Sequence, residues 1–267
     1  MLSELDEWLS DNTPKMLIVG ELQDGLVFDS AYLKVTGLPL THWLIPKFAA
    51  QSRHRLIFLT KSAEIEHALK LKANRQVVFS WSVNAEEVGS RWEAGAPLPS
   101  ERFAAAEAMQ KAGWPIRFRI DPMVPYPGWR GGYMQAIRRV NRLKPEMVTL
   151  GALRATSAKS LRKAAIKNGR DDAIFDFLSE EKDASGFKYR IPLGEQIRLF
   201  RFVLEHLDPA IPGALCKEDR TVWEALAIPF RGCHCLLGGE DTLIEDRRSH
   251  SVYATGGPTA TPFPILA

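Results

Sequence analysis

Apolar residues along this chain fall into short unbroken runs separated by longer stretches with helical spacing. Met16-Leu17-Ile18-Val19, Leu56–Leu59, Val77–Ser82, Ile116–Ile120 and Met147–Leu150 are each bounded by polar or turn residues and too short for helices, so they read as strands. Between them, Leu2–Ser10 repeats apolar residues at 2, 5, 8 and 9, and Ala63–Leu71 at 65, 68, 69 and 71. These spacings, with those of Leu38–Ala50, Tyr133–Leu143 and a segment that opens at Pro99-Ser100-Glu101 and stops before Gly113, predict helices. Continuous apolar strands suit a sheet covered on both faces, and their alternation with helices predicts an α/β fold with about five parallel strands, for which a (β/α) barrel is the first hypothesis. Ligands of such folds sit at the carboxyl ends of the strands. The run at Val77 leads into Ser82 and Asn84, and the run at Ile116 leads into Asp121, so both end in groups able to hold a ligand.

From Ser157 the pattern changes. A basic helix, Ala158–Lys167, is closed by Asn168-Gly169 and followed by an acidic segment, Asp171–Asp183, and a long helix near Gly194–His206. The expected organisation is a β/α unit over 1–156, a helical C-terminal extension over 157–250, and an irregular tail over 251–267, where Gly, Pro and Thr dominate. The 267 residues are 45% apolar and 25% charged, ordinary for a globular protein. A net charge of +3 is compatible with nucleic acid without pointing to it. No apolar run approaches the roughly 20 residues of a membrane span, and the acidic start, Met1-Leu2-Ser3-Glu4, is unlike a signal peptide. The expectation is a cytoplasmic protein with no membrane partner.

All three cysteines follow residue 215, which argues against a disulfide framework. Cys216, Cys233 and Cys235, with His234 and His250 near in sequence, are a candidate set for zinc or an auxiliary cluster. Reduced, unliganded cysteines are the alternative, since Cys-x-Cys is not the usual Cys-x-x-Cys spacing. Trp129-Arg130-Gly131-Gly132-Tyr133 offers aromatic and basic groups that either stack on bases or cap the barrel. Arg138, Arg139 and Arg142 share a helix face that reads as solvated, and no Ser/His/Asp, paired-carboxylate or hydrolase-metal spacing emerges.

Phe79-Ser80-Trp81-Ser82-Val83-Asn84, Glu93-Ala94-Gly95, the helix Arg102–Ala112, Phe118-Arg119-Ile120-Asp121-Pro122 and Pro125-Tyr126-Pro127-Gly128-Trp129 together resemble the spore photoproduct lyase family. The likeness extends upstream through Phe58-Leu59-Thr60-Lys61 and downstream through Gly186-Phe187-Lys188-Tyr189. It implies, for this chain, a partial parallel (β/α) barrel of the radical SAM type, a lyase activity in DNA repair, and two cofactors, S-adenosylmethionine and a 4Fe-4S cluster. By that resemblance Lys61 and Ser82 match a lysine and a serine that contact S-adenosylmethionine, while Asn84 and Asp121 stand beside the same rim. The plainer readings are a surface lysine, a strand-end serine, an asparagine capping the next helix and an aspartate paired with Arg119.

The chain departs from the family in its cysteines. A cluster of this kind is held by three thiolates, usually spaced Cys-x-x-x-Cys-x-x-Cys, and no cysteine precedes Cys216. The expectation is a member without its first strand and cluster loop, inactive unaided. Where the lyase has a hydrogen-donating cysteine, this chain has Glu21-Leu22-Gln23-Asp24. The resemblance implies DNA as a partner; an alternative is a non-catalytic binding or regulatory module whose open edge takes a strand from another protein, or a relic of a truncated gene. If the late cysteines hold metal, zinc and iron analysis of a Cys233→Ser/Cys235→Ser double variant will show a lower metal content than the parent. Equal content removes that set from consideration.

Overall fold

Strands that are apolar on both faces must be covered on both, and the chain does this by packing helices outside a curled sheet. The computed structural model describes residues 2–21, 23–183, 186–218 and 220–228. In chain order the first half comprises α1 (Leu2–Ser10), β1 (Met16–Val19), α2 (Val27–Thr36), α3 (Leu40–Ala49), β2 (Arg55–Thr60), α4 (Glu66–Leu69), β3 (Val77–Val83), α5 (Glu86–Trp92) and α6 (Pro99–Lys111). There follow β4 (Ile116–Met123), α7 (Trp129–Leu143), β5 (Val148–Ala152), β6 (Arg154–Ala155), α8 (Ala158–Lys167), a 3-10 turn (Ala173–Phe177), β7 (Tyr189–Arg190), α9 (Leu193–His206), β8 (Gly213–Leu215) and α10 (Arg220–Ala225).

One six-stranded sheet has the order β1-β2-β3-β4-β5-β8, parallel throughout, so each β/α step lays its strand beside the last. All five strands expected from the sequence are present. The sixth, β8, comes from beyond residue 156 and was not foreseen; at three residues it is too short to carry a pattern. A separate two-stranded pair, β6 with β7, is antiparallel. Among the described residues no helix is long and apolar enough to cross a membrane.

Side chains alternate across each strand. On β4, Ile116, Phe118 and Ile120 face the helices, where Phe118 meets Phe103 of α6 with ring centroids 5.1 Å apart. Leu56, Phe58, Val77 and Phe79 share that outer core, whereas Met16, Ile18, Ile57 and Val78 form a second, smaller apolar cluster on the inner face. The inner face then turns polar toward β4, with Arg117 and Arg119 buried in it.

The sheet is curled enough to bring its two edges together. A flat six-stranded sheet would hold its outer strands about 24 Å apart at the usual ~4.8 Å spacing. Yet Glu21, just past β1, lies with its carboxylate 3.2 Å from the ammonium of Lys217, just past β8.

Helix boundaries follow local chemistry. α6 begins with Pro99, and the Leu98 backbone N–H donates to Glu101 Oε2 at 2.6 Å. The Ser100 hydroxyl, expected near the cap, instead donates to Glu86 Oε1 at 2.7 Å and ties α6 to α5. The helix expected over Ala63–Leu71 is only the single turn α4, and α2 was not foreseen.

Phe79 on central β3 is fully buried, stacked on Phe58 at 5.3 Å and edge-on to Trp114 at 5.2 Å. Phe79→Ala should lower unfolding stability by about 3–5 kcal/mol, read as a reduced urea midpoint at unchanged slope.

Candidate functional site

Because the sheet strands all run one way, their carboxyl ends collect at one rim. Asp24 organises the rim's first quarter. Its Oδ1 accepts from the Thr60 hydroxyl at 2.6 Å and from the backbone N–H groups of Leu26 and Val27 at 2.9 and 3.1 Å, while Oδ2 accepts from the Lys61 N–H at 2.6 Å. The end of β2 is thereby pinned to the start of α2, and with it the root of the Lys61 side chain. The backbones are close enough that a Cβ on Gly20 would stand 2.1 Å from the Leu59 carbonyl oxygen, so glycine is required there.

Lys61 reaches Glu93, its ammonium 3.0 Å from Oε1. Asn84 donates to the same oxygen at 3.2 Å and to the Pro122 carbonyl at 2.8 Å. Behind them the fully buried guanidinium of Arg102 lies 2.5 Å from Glu93 Oε2, and also donates to the carbonyls of Pro97 at 2.8 Å and Ser82 at 3.1 Å. Burial works against the Glu93 charge, but Lys61 and Arg102 together hold its carboxyl below the ordinary carboxylate range.

The next residues complete the arc. The Ser82 hydroxyl donates to the Asp121 carbonyl at 2.9 Å. The Asp121 carboxylate lies 3.0 Å from Arg119 and 3.2 Å from Arg154, and it occupies space that a side chain at position 151 would fill: a Cβ on Gly151 would fall 2.5 Å from the carboxyl carbon. Asp121–Pro122 is a cis peptide bond, and the β4–β5 register shifts there. Cys216, buried past β8, has its sulfur 2.8 Å from Arg119 and 3.5 Å from Arg154. Beyond it, Arg190 lies 3.0 Å from the Glu218 carboxylate, whose burial pushes its pKa up to about 7 against the pull of Arg190 and Arg154.

Lys61, Ser82, Asn84 and Asp121, all named from the sequence, thus stand in one connected network at the rim. Its centre, Glu93, and its supports Arg102, Arg154 and Asp24 were not named as site residues. Glu93 lay in a motif already singled out, but its partners come from β2, β3 and α6, and no local spacing announces them. Asp121 pairs with Arg119, as its plainer reading expected, whereas Asn84 does not cap α5: the N-cap is Ala85, without a side-chain cap bond, and Asn84 Oδ1 accepts only from the neighbouring Ala85 N–H at 3.0 Å. Trp129 and Tyr133 are buried, Trp129 against Phe202 with centroids 5.1 Å apart, so this segment caps the barrel rather than offering rings to bases.

Cys233, Cys235, His234 and His250 lie outside the described residues. Among the described residues no group of His, Cys, Asp and Glu is arranged to hold a metal ion. A cleft of about 570 Å³ opens at the opposite end of the sheet, beside Arg55, Trp114 and Glu146. There Arg55 and Arg117 both engage Glu146, at 2.9 and 3.1 Å, and close the barrel floor.

A set of known proteins is similar to this chain in sequence or fold. The family model for spore photoproduct lyase matches residues 35–154. The spore photoproduct lyase of Bacillus subtilis (strain 168) is 32% identical over 112 residues, 41% of this chain and 33% of that protein. That of Geobacillus sp. (strain Y412MC61) is 32% identical over 106 residues, 39% of this chain and 31% of that protein. The chain thus matches about a third of the length of these curated relatives. A spore photoproduct lyase solved in complex with dinucleoside spore photoproduct superimposes with a TM-score of 0.65 at 19% identity, covering 80% of this chain and 65% of that one. A mutant form solved with bound AdoMet and dinucleoside spore photoproduct gives 0.62 at 19%, covering 79% and 64%. The chain is spore photoproduct lyase-like in sequence across its central strands and shares the fold of those structures, a six-stranded parallel half-barrel with helices.

The Glu93 hub makes a pH prediction. A carboxyl whose folded pKa lies below its ordinary 4.5 contributes stability that is complete above that value and lost as pH falls through the folded one. Glu93→Gln should flatten this acid limb and, by leaving Arg102 buried without its carboxylate, cost about 3–5 kcal/mol at neutral pH. Denaturant titrations from neutral to acid pH will show both effects, and an unchanged acid limb would remove Glu93 from the account.

Proposed function

We propose that this chain provides the AdoMet-facing wall of a spore photoproduct lyase-like protein of the radical SAM class, acting in the cytoplasm on photoproducts in DNA. One observation carries this reading: the segment that matches the family, residues 35–154, is the one whose strand ends bring Lys61, Ser82, Asn84 and Asp121 into a single network. The AdoMet and dinucleoside photoproduct bound by the solved relatives support the choice of ligand and substrate.

The residues present suit AdoMet. Lys61 is one-third exposed, and its ammonium spends one of three donors on Glu93, leaving others for a carboxylate. Ser82 donates to Asp121 and keeps its lone pairs for an incoming ammonium. Glu93 and Arg102 fix the Lys61 head so that it meets the ligand without first being ordered, which lowers the entropy cost of binding. In radical chemistry AdoMet supplies a hydrogen-abstracting carbon radical once a reduced iron–sulfur cluster gives it an electron.

A 4Fe-4S cluster does not fit the residues described. Cys216 is the one thiol among them, and its sulfur is enclosed by the Arg119 and Arg154 guanidiniums. We therefore assign the described residues ligand binding, with no cluster-holding set of thiolates among them. A second reading, a module that accepts a partner's strand, draws on β1 pairing with β2 alone in the sheet; a stoichiometric hetero-complex in native mass spectrometry that dissolves when β1 is altered would favour it.

Equilibrium dialysis against labelled AdoMet tests the main reading. The chain should retain AdoMet, and Lys61→Ala should weaken retention about ten- to a hundredfold, the worth of a charged hydrogen bond. After incubation with iron, sulfide and reductant, the chain should leave AdoMet uncleaved. Failure to retain AdoMet overturns the ligand assignment, and cleavage overturns the exclusion of the cluster.

A further inference from the structure

α8 is a helix that the core does not need. None of its residues is buried, yet it is the most one-sided run of charge in the described chain. Residues 158–170 carry Lys159, Arg162, Lys163, Lys167 and Arg170 and no acid. Arg162 is used internally, 2.5 Å from Asp176 and 3.7 Å from Asp172, and anchors the helix to the segment behind it. That segment is fixed in turn by an ion pair between Asp171 and Arg91 of α5 and by Phe177 packing edge-on to Trp92. α5 leaves the carboxyl end of β3, so α8 sits at the same end of the sheet as the Lys61–Glu93 network.

The other cations remain. Lys159, Lys163 and Lys167 recur every fourth residue and occupy an arc of about 80°, all exposed, with Arg170 exposed just past the end. Among the described residues none of these has a carboxylate within ion-pair distance. A row of aligned, unpaired cations costs self-repulsion unless a polyanion neutralises it. A membrane surface suits it poorly: the exposed Leu161 and Ile166 stand five residues apart, about 140° around the helix, so they form no continuous apolar stripe to sink into lipid.

We propose that the Lys159–Lys163–Lys167 row of α8, extended by Arg170, is a docking surface for the backbone phosphates of duplex DNA, holding the duplex against the rim. This builds on DNA as the substrate in the function proposed above and adds where the duplex is gripped. The contact is to phosphates, so it is indifferent to base sequence and steeply dependent on salt.

Fluorescence anisotropy of a labelled duplex, titrated with the full chain at several salt concentrations, tests this. Each phosphate contact contributes about 0.9 to the slope of log affinity against log salt. The variant K159Q/K163Q/K167Q/R170Q should lower that slope by about 3.6 and weaken binding at least tenfold at low salt, with AdoMet retention and thermal midpoint unchanged. A control triple, K70Q/K72Q/R75Q, removes exposed cations ahead of β3, at the opposite end of the sheet, and should leave the slope in place. Duplex binding that the α8 variant does not alter, or that both variants reduce alike, overturns the surface while leaving DNA as substrate. No duplex binding by the parent chain overturns the surface and the DNA part of the function together, with AdoMet retention still judged by dialysis. Tighter binding to phosphatidylserine vesicles than to duplex, lost in the α8 variant, overturns it in favour of a membrane.

Discussion

Placing arginine inside a curled sheet obliges the fold to bring a carboxylate to each guanidinium, because an unpaired buried charge costs several kcal/mol. Arg102, Arg117 and Arg119 are 0%, 4% and 9% exposed, and Glu93, Glu146 and Asp121 meet them. These pairings set much of the architecture. Glu146 reaches Arg117 from the loop between α7 and β5, which closes the floor. Asp121 needs the space left by Gly151 on β5. Glu93 sits where α5 ends, so the length of that helix decides whether Arg102 is satisfied.

The two ends of the barrel differ accordingly. At the floor, Arg55 and Arg117 converge on one carboxylate, Glu146. At the rim, Lys61 and Ser82 are each held by one partner and keep hydrogen-bonding capacity in reserve. A cleft lies at the floor, yet the residues that match the candidate site lie at the rim, where polar groups are positioned without being exhausted.

Most of the fold was legible because it rests on local patterns. Leu2–Ser10 and Ala158–Lys167 form helices with the boundaries their spacing suggests, and five strands lie where apolar runs placed them. α2 escaped because its apolar residues do not mark its buried face: Val27 and Val35 are 52% and 86% exposed, while Asp29 is buried. β8 escaped because three residues, beginning with glycine, carry no periodicity. The rim residues were legible through their position after strands and through resemblance. Glu93 as their common partner was not, since it joins groups from three elements that only the folded chain brings together.

The Glu21–Lys217 contact joins the two edges of the sheet with a partly exposed ion pair rather than with backbone ladder bonds. Pairs of that kind contribute on the order of 0.5 kcal/mol, which at room temperature leaves roughly a third of molecules with the contact broken at any moment. The seam of the half-barrel is at this point closed by side chains alone, a clasp that can open without breaking any ladder hydrogen bond of β1 or β8. Added salt screens such a pair and shifts its population further toward the open form without disturbing the ladders of the sheet.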